Sequence, residues 1–143
     1  MEKARVLVLC TSNSCRSQMG EGWVRHLLGE RVEVHSAGTR ASFVHPRAIQ
    51  VMAEAGVDLS SHASKSVEAL QGLPFDLVVT VCDSAREACP VFPGARKTVH
   101  HAFEDPAHAG EGDDALPVFR RVRDEIREAL PALVARELGF PEG

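Results

Sequence analysis

The period of the apolar positions changes several times along the chain, and each change marks an element. Residues 3–9 are almost continuously apolar and stop at a polar, serine-rich turn, which predicts a strand. Residues 18–28 follow with Trp23, Val24, Leu27 and Leu28 at helical spacing, and residues 32–36 read as a second strand. Pro46 opens a helix that carries Ile49, Val51, Met52 and Ala55 and stops at Gly56, the usual placement of proline and glycine at helix ends. A short helix is predicted at 64–70, the strongest strand of the chain at 75–82, and a weaker strand at 96–102. The last helix spans about 115–138, with Phe119, Val122, Ile126, Leu130, Leu133, Val134 and Leu138 forming a core-facing stripe. Pro131 lies inside it and should kink it, because proline lacks the amide donor and crowds the preceding turn.

Strands alternating with helices imply an α/β fold: a four-stranded parallel sheet flanked by helices on both faces. No repeat, low-complexity tract or composition shift divides the 143 residues, so the expectation is a single domain over 1–143, a length that buries a core without staples. In such sheets ligands bind beyond the carboxyl ends of the strands, where Cys10, Cys82 and Asp105 all fall. Sixteen basic residues against twenty acidic ones give a net charge of −4, which provides no basic field for nucleic acid or an anionic membrane. The apolar run at residues 6–10 is too short for a signal-peptide core or a membrane span, so a cytoplasmic protein is expected. In that compartment four cysteines point to thiol chemistry rather than to a disulfide framework.

The segment Cys10-Thr11-Ser12-Asn13-Ser14-Cys15-Arg16-Ser17 places a cysteine at a strand end, five residues, then Arg-Ser at a helix start. A loop returning to a helix N-terminus aims several amide hydrogens at one point and forms a nest for a tetrahedral oxyanion. Residues 11–16 would line it, with Arg16 adding a bidentate fork. The same positive field favours a thiolate, which makes Cys10 the candidate nucleophile, with Ser17 as a donor to it. The competing reading is a structural cysteine ending a strand beside a solvated arginine; the strand before and helix after weigh against it.

Read together, Leu9-Cys10-Thr11-Ser12-Asn13-Ser14-Cys15-Arg16-Ser17-Gln18-Met19, Glu21-Gly22-Trp23 and Ser36-Ala37-Gly38 resemble the thioredoxin-coupled arsenate reductases built on the low-molecular-weight tyrosine phosphatase fold. The resemblance runs from Val6 to about Leu130. It implies Cys10 as nucleophile, Arg16 as oxyanion clamp, Ser17 as thiolate partner and Asp105 as general acid. A second cysteine pair separates reductase from phosphatase. Cys89 lies seven residues after Cys82, and a helix across that interval would hold their Cα atoms roughly 10 Å apart, beyond the about 7 Å a disulfide spans. Closing the pair therefore requires the segment to unwind. The family's relay then runs from Cys10 to Cys82 to Cys89, with electrons from thioredoxin and no bound cofactor. The substrate is expected to be arsenate, with phosphate as its mimic.

Other readings bear on individual residues. Cys82 and Cys89 also read as a packed thiol and a surface thiol, and their spacing fits zinc poorly; no metal site is expected. Asp105-Pro106 also reads as an ordinary turn, but Ala107 follows where tyrosine phosphatases of this fold carry tyrosine, which favours a small oxyanion. Asn13, Glu21 and Ser36 match a potassium site of some relatives, whereas Ala63 and Lys65 replace its threonine and aspartate, so potassium should be dispensable. Cys15 is expected to be a packed, inert thiol rather than a partner of Cys10, and His26, His45 and His62 surface or capping residues. The alternative function is a low-molecular-weight phosphatase, which uses the same Cys10, Arg16, Ser17 and Asp105; a thiol redox sensor is a third. A monomer is expected.

Overall fold

The computed structural model describes residues 3–82, 92, 94–109 and 112–140. Four parallel strands, β1 (Ala4–Cys10), β2 (Val32–Gly38), β3 (Leu77–Thr80) and β4 (Thr98–His100), lie in the order β2-β1-β3-β4. The α/β architecture and the parallel sheet are thus as expected. β1 is central because both its faces are apolar: Val6, Leu7, Val8 and Leu9 are fully buried. Val6, Val8 and Cys10 join one core with the three α-helices; Leu7 and Leu9 join a second with Leu70, Phe75 and Phe92. Helical segments therefore cover both faces, α1 (Arg16–Leu28), α2 (Pro46–Glu54) and α3 (Leu116–Leu138) on one and the 3-10 turn Val67–Leu70 on the other.

Several boundaries shift for identifiable reasons. α1 begins at Arg16, two residues before its apolar stripe, because its first turn faces the loop after β1. β3 is shorter than 75–82: Phe75 pairs with Ala95 only as an isolated bridge, and the Val81 amide still bonds Leu9 O at 2.8 Å. The helix expected at 64–70 is one 3-10 turn. α3 runs unbroken through Pro131, a buried residue of its core face, and ends at Gly139 with φ of +75°. Gly20 lets α1 lie tightly on its neighbours, since a Cβ there would stand 2.7 Å from Leu130 Cδ2 and 3.3 Å from Val8 Cγ1. Cys89 lies outside the described residues.

β1 and β3 are adjacent, yet the chain leaves β1 toward β2 on one side and later reaches β3 on the other. The crevice at the carboxyl ends of this pair is the topological switch point where doubly wound sheets bind ligands. Cys10 ends β1 there, and Cys82 follows β3 by two residues.

Candidate active site

A cavity of about 250 Å³ opens at that crevice, and Cys10, Ser12, Ser14, Cys15, Arg16 and Asp105 line it. A larger groove of about 670 Å³ passes Leu28, Pro131 and Phe140 at the ends of α1 and α3; no thiol lines it, so size does not mark the reactive site. The loop between Cys10 and α1 is shaped by Asn13, whose φ of +52° makes it the described non-glycine residue with positive φ. Asparagine tolerates this left-handed conformation better than most residues. α1 starts without an acidic residue in its first turn and without a side-chain cap, which leaves its amide hydrogens to a ligand. The loop's carbonyls face away: Thr11 O accepts from the Arg40 amide at 3.4 Å, Ser12 O from Ser42 and Ser64 at 3.2 and 3.0 Å, and Ser14 O from the His45 amide at 3.1 Å. Gly38 is required beside it, because a Cβ would lie 2.5 Å from Thr11 O.

Arg16 is buried, with NH2 3.5 Å from Asp105 Oδ2 and NH1 3.4 Å from Phe103 O. Asp105 is turned by its own loop, Oδ1 accepting from the Ala107 amide at 3.0 Å. Arginine fork, carboxyl and thiol therefore meet at one cavity, as the sequence reading requires.

The hydrogen bonds behind Cys10 have a determinable direction, because arginine only donates and each amide nitrogen has two hydrogens. Arg25 NH1 donates to His62 Nε2 at 3.0 Å, so His62 is neutral and its Nδ1–H donates to Gln18 Oε1 at 2.9 Å. Gln18 Nε2 donates to Asn13 Oδ1 at 2.9 Å, which also accepts the Lys65 amide at 2.8 Å. Asn13 Nδ2 must then donate both hydrogens, to Ser17 Oγ at 2.8 Å and Ser36 Oγ at 2.9 Å. Ser36 donates its hydroxyl hydrogen to Glu21 Oε1 at 2.5 Å, and Ser17, which accepts from Asn13, is placed to donate its own to a Cys10 thiolate, Sγ lying 2.9 Å away. The chain of donors leads to the sulfur, where a thiolate would accept its last hydrogen.

Burial raises Glu21, but hydrogen bonds from Ser36 and Arg25 outweigh it and hold the carboxyl below its usual 4.5. Burial and the charges of Arg25 and Lys65 hold His62 below its usual 6.5 against the pull of Glu21. Burial first, then the Asp105 charge, push the Cys15 thiol up to about 12. It is the packed thiol expected.

Asn13, Glu21 and Ser36 do come together, but their oxygens already accept hydrogen bonds: Asn13 Oδ1 from Gln18 and Lys65, Ser36 Oγ from Asn13, and Glu21 from Ser36 and from the Arg25 guanidinium 2.5 Å from Oε2. Lys65 Nζ donates to Ala63 O at 3.2 Å instead of reaching these oxygens. Among the described residues no group of three or more His, Cys, Asp or Glu gathers as metal ligands. Cys82 is fully buried and disulfide-bonded to a partner outside the described residues, while Cys10 and Cys15 are free thiols.

Sequence reading missed the far wall of the cavity, formed by Arg40, Ser42, Phe43 and His45. His45 does cap α2, with Nδ1 accepting the Arg47 amide at 3.1 Å, and its ring packs 4.9 Å from Phe119. Phe43 is 60% exposed at the mouth, so the absence of an aromatic at Ala107 does not leave the mouth without one. His62 joins the hydrogen-bonded chain rather than standing alone. Its signal was present in α1, where buried Gln18 and Glu21 are polar residues that needed partners.

The model of the low molecular weight phosphotyrosine protein phosphatase family matches residues 5–139. The arsenate reductase of Halalkalibacterium halodurans is 46% identical over 131 residues, covering 91% of this chain and 94% of that protein. A solved structure of an arsenate reductase in the phosphate-binding state superposes with a TM-score of 0.79 at 33% identity, over 93% of this chain and 98% of that one. The thioredoxin-dependent arsenate reductase of Corynebacterium glutamicum superposes with a TM-score of 0.63 at 26% identity, over 94% of this chain and 63% of that one. With sheet, anion loop and sequence in agreement along nearly its whole length, the chain belongs to the low molecular weight phosphotyrosine protein phosphatase family.

Proposed function

We propose that this chain, as a single domain acting as a monomer in the cytoplasm, reduces arsenate to arsenite with electrons from thioredoxin. The observation that carries the reading is the directed chain ending in Ser17 O–H on Cys10 Sγ, in a cavity shared with Arg16 and Asp105. The similarity to arsenate reductases, one of them thioredoxin-dependent, supports it.

In this mechanism the loop amides of residues 11–16 and the Arg16 fork hold arsenate, and Cys10 Sγ attacks arsenic. A sulfur–arsenic bond forms, an arsenic–oxygen bond breaks, and the departing hydroxyl leaves as water with the Asp105 proton. Cys82 thiolate next attacks Cys10 Sγ: the disulfide forms, the sulfur–arsenic bond breaks, and its electron pair stays on arsenic, taking As(V) to As(III). Cys89 displaces Cys10 from Cys82, and thioredoxin dithiol reduces the resulting Cys82–Cys89 disulfide. The short path between β1 and β3 supports the second step, since the residue before Cys82 bonds to the residue before Cys10. The disulfide at Cys82 beside a free Cys10 is what the end of the relay requires.

Phe43 favours a second activity at the same cavity, hydrolysis of aryl phosphate esters, because an exposed ring at the mouth offers an aromatic leaving group a surface to pack on. The test is arsenate-dependent NADPH oxidation with thioredoxin and thioredoxin reductase, beside an aryl phosphate assay, for Cys10→Ser, Cys82→Ser and Cys89→Ser. Loss of reduction in all three, with ester hydrolysis lost only in Cys10→Ser, is the expected result. Ester hydrolysis without arsenate-dependent oxidation in the unaltered protein would make this chain a phosphatase. The potassium reading is checked in the same assay: replacing potassium by sodium leaves the KM for arsenate unchanged.

A further inference from the structure

We propose that Arg40 is a second oxyanion-binding cation, which draws the substrate into the Cys10 cavity and sets its affinity without taking part in the chemical steps. The inference rests on the reading of that cavity as an oxyanion site. Its basis is the charge around the cavity. A Cys10 thiolate and the Arg16 guanidinium offset each other, and Asp105, 3.5 Å from Arg16, adds no positive charge in either protonation state. His45 is neutral there, since its Nδ1 accepts the Arg47 amide. Without Arg40 the described lining would carry no net positive charge, and arsenate and phosphate arrive near neutrality with one to two negative charges of their own. Among the described residues Arg40 is the remaining cation of the lining and supplies that charge.

Two further observations place it in this role. Residues 38–45 are fixed to the anion loop by the bonds from Arg40, Ser42 and His45 to Thr11, Ser12 and Ser14, and by the Ser42 amide on Ser64 Oγ at 2.8 Å. The backbone that carries Arg40 is therefore anchored to the loop that binds the anion. Among the described residues, moreover, the Arg40 guanidinium has neither a carboxylate within ion-pair distance nor an aromatic ring beneath it. Arg5, Arg25, Arg120, Arg121 and Arg123 each pair with an acid. An exposed cation at the rim of a cavity raises the capture rate of an anion and makes it salt-sensitive. The product, arsenous acid, is uncharged near neutrality, so the same cation does not retain it.

The test compares Arg40→Ala and Arg40→Lys with the unaltered protein by steady-state arsenate reduction and by calorimetric titration with inorganic phosphate. Arg40→Ala should raise the KM for arsenate and the Kd for phosphate about tenfold at low salt, with kcat within about twofold. Arg40→Lys should recover most of the loss, and added sodium chloride should narrow the gap between Arg40→Ala and the unaltered protein. The inference is overturned if Arg40→Ala stays within about twofold in both constants, if the loss falls on kcat, or if Arg40→Lys is as impaired as Arg40→Ala. Failure of the unaltered protein to bind phosphate or reduce arsenate would instead remove the reading of the cavity itself.

Discussion

Held at φ of +52°, Asn13 occupies a backbone region that costs a residue with a side chain about 1 kcal/mol, yet this conformation is what turns its carboxamide to Ser17 and Ser36. Its two hydrogens fix the direction of both serine hydroxyls, so it acts on the sulfur through Ser17 and is a positioning residue. Asn13→Ala should lower kcat/KM for arsenate about a hundredfold and move the rising limb of the pH–rate profile to higher pH, with little further loss in Asn13→Ala/Ser17→Ala. A pH profile that keeps its position would show that Asn13 merely supports the loop. Cys10, Arg16 and Ser17 were legible in the sequence because their roles follow from adjacency to one strand end and one helix start. Asn13 was legible only as a loop residue. Its partners Ser36 and Lys65 lie 23 and 52 positions away, and which loop polar group becomes the junction depends on a backbone sign that spacing does not encode.

At the level of elements, the four strands and the three α-helices could be placed from hydrophobic period with proline and glycine as end marks, since β1 is buried on both faces and α3 on one continuous stripe. Pro131 is accommodated without breaking α3, because core contacts of Leu130, Leu133 and Val134 on either side hold the helix together. What escaped the period was the segment from Gly38 to His45, which is irregular and owes its course to hydrogen bonds with another loop. Gly38 ends β2 at the point where the two segments touch. Gly38→Ala would set a Cβ against backbone rather than a movable side chain, and should destabilise the fold by about 1–3 kcal/mol in urea denaturation. It should weaken phosphate binding as well, whereas Gly56→Ala, strained by its φ of +85° but meeting no neighbouring atom, should leave binding intact. Equal phosphate affinity in both variants would mean that the anion loop does not depend on this contact.

For the molecule as a whole, stability should depend on acidity through two groups of one network. His62 is held below 6.5, so between its folded value and 6.5 the unfolded chain binds more protons than the folded one, and stability is lost as pH falls through that interval. Glu21 is held below 4.5, and its contribution, present above that value, is lost in turn on further acidification. Thermal melts from pH 7.5 to 4 should show Tm declining in two stages, and His62→Asn should flatten the first and leave the second. A single decline unaltered by His62→Asn would place the acid sensitivity elsewhere. The contrast among the thiols has a practical consequence. With Cys15 pushed to about 12 and buried, and Cys82 held in a disulfide, Cys10 is the sulfur that the described residues offer iodoacetamide in the oxidised protein. Alkylation stoichiometry, read by intact mass, then becomes an active-site titration: the label bound per chain counts the competent molecules, and protection by phosphate confirms which sulfur was counted.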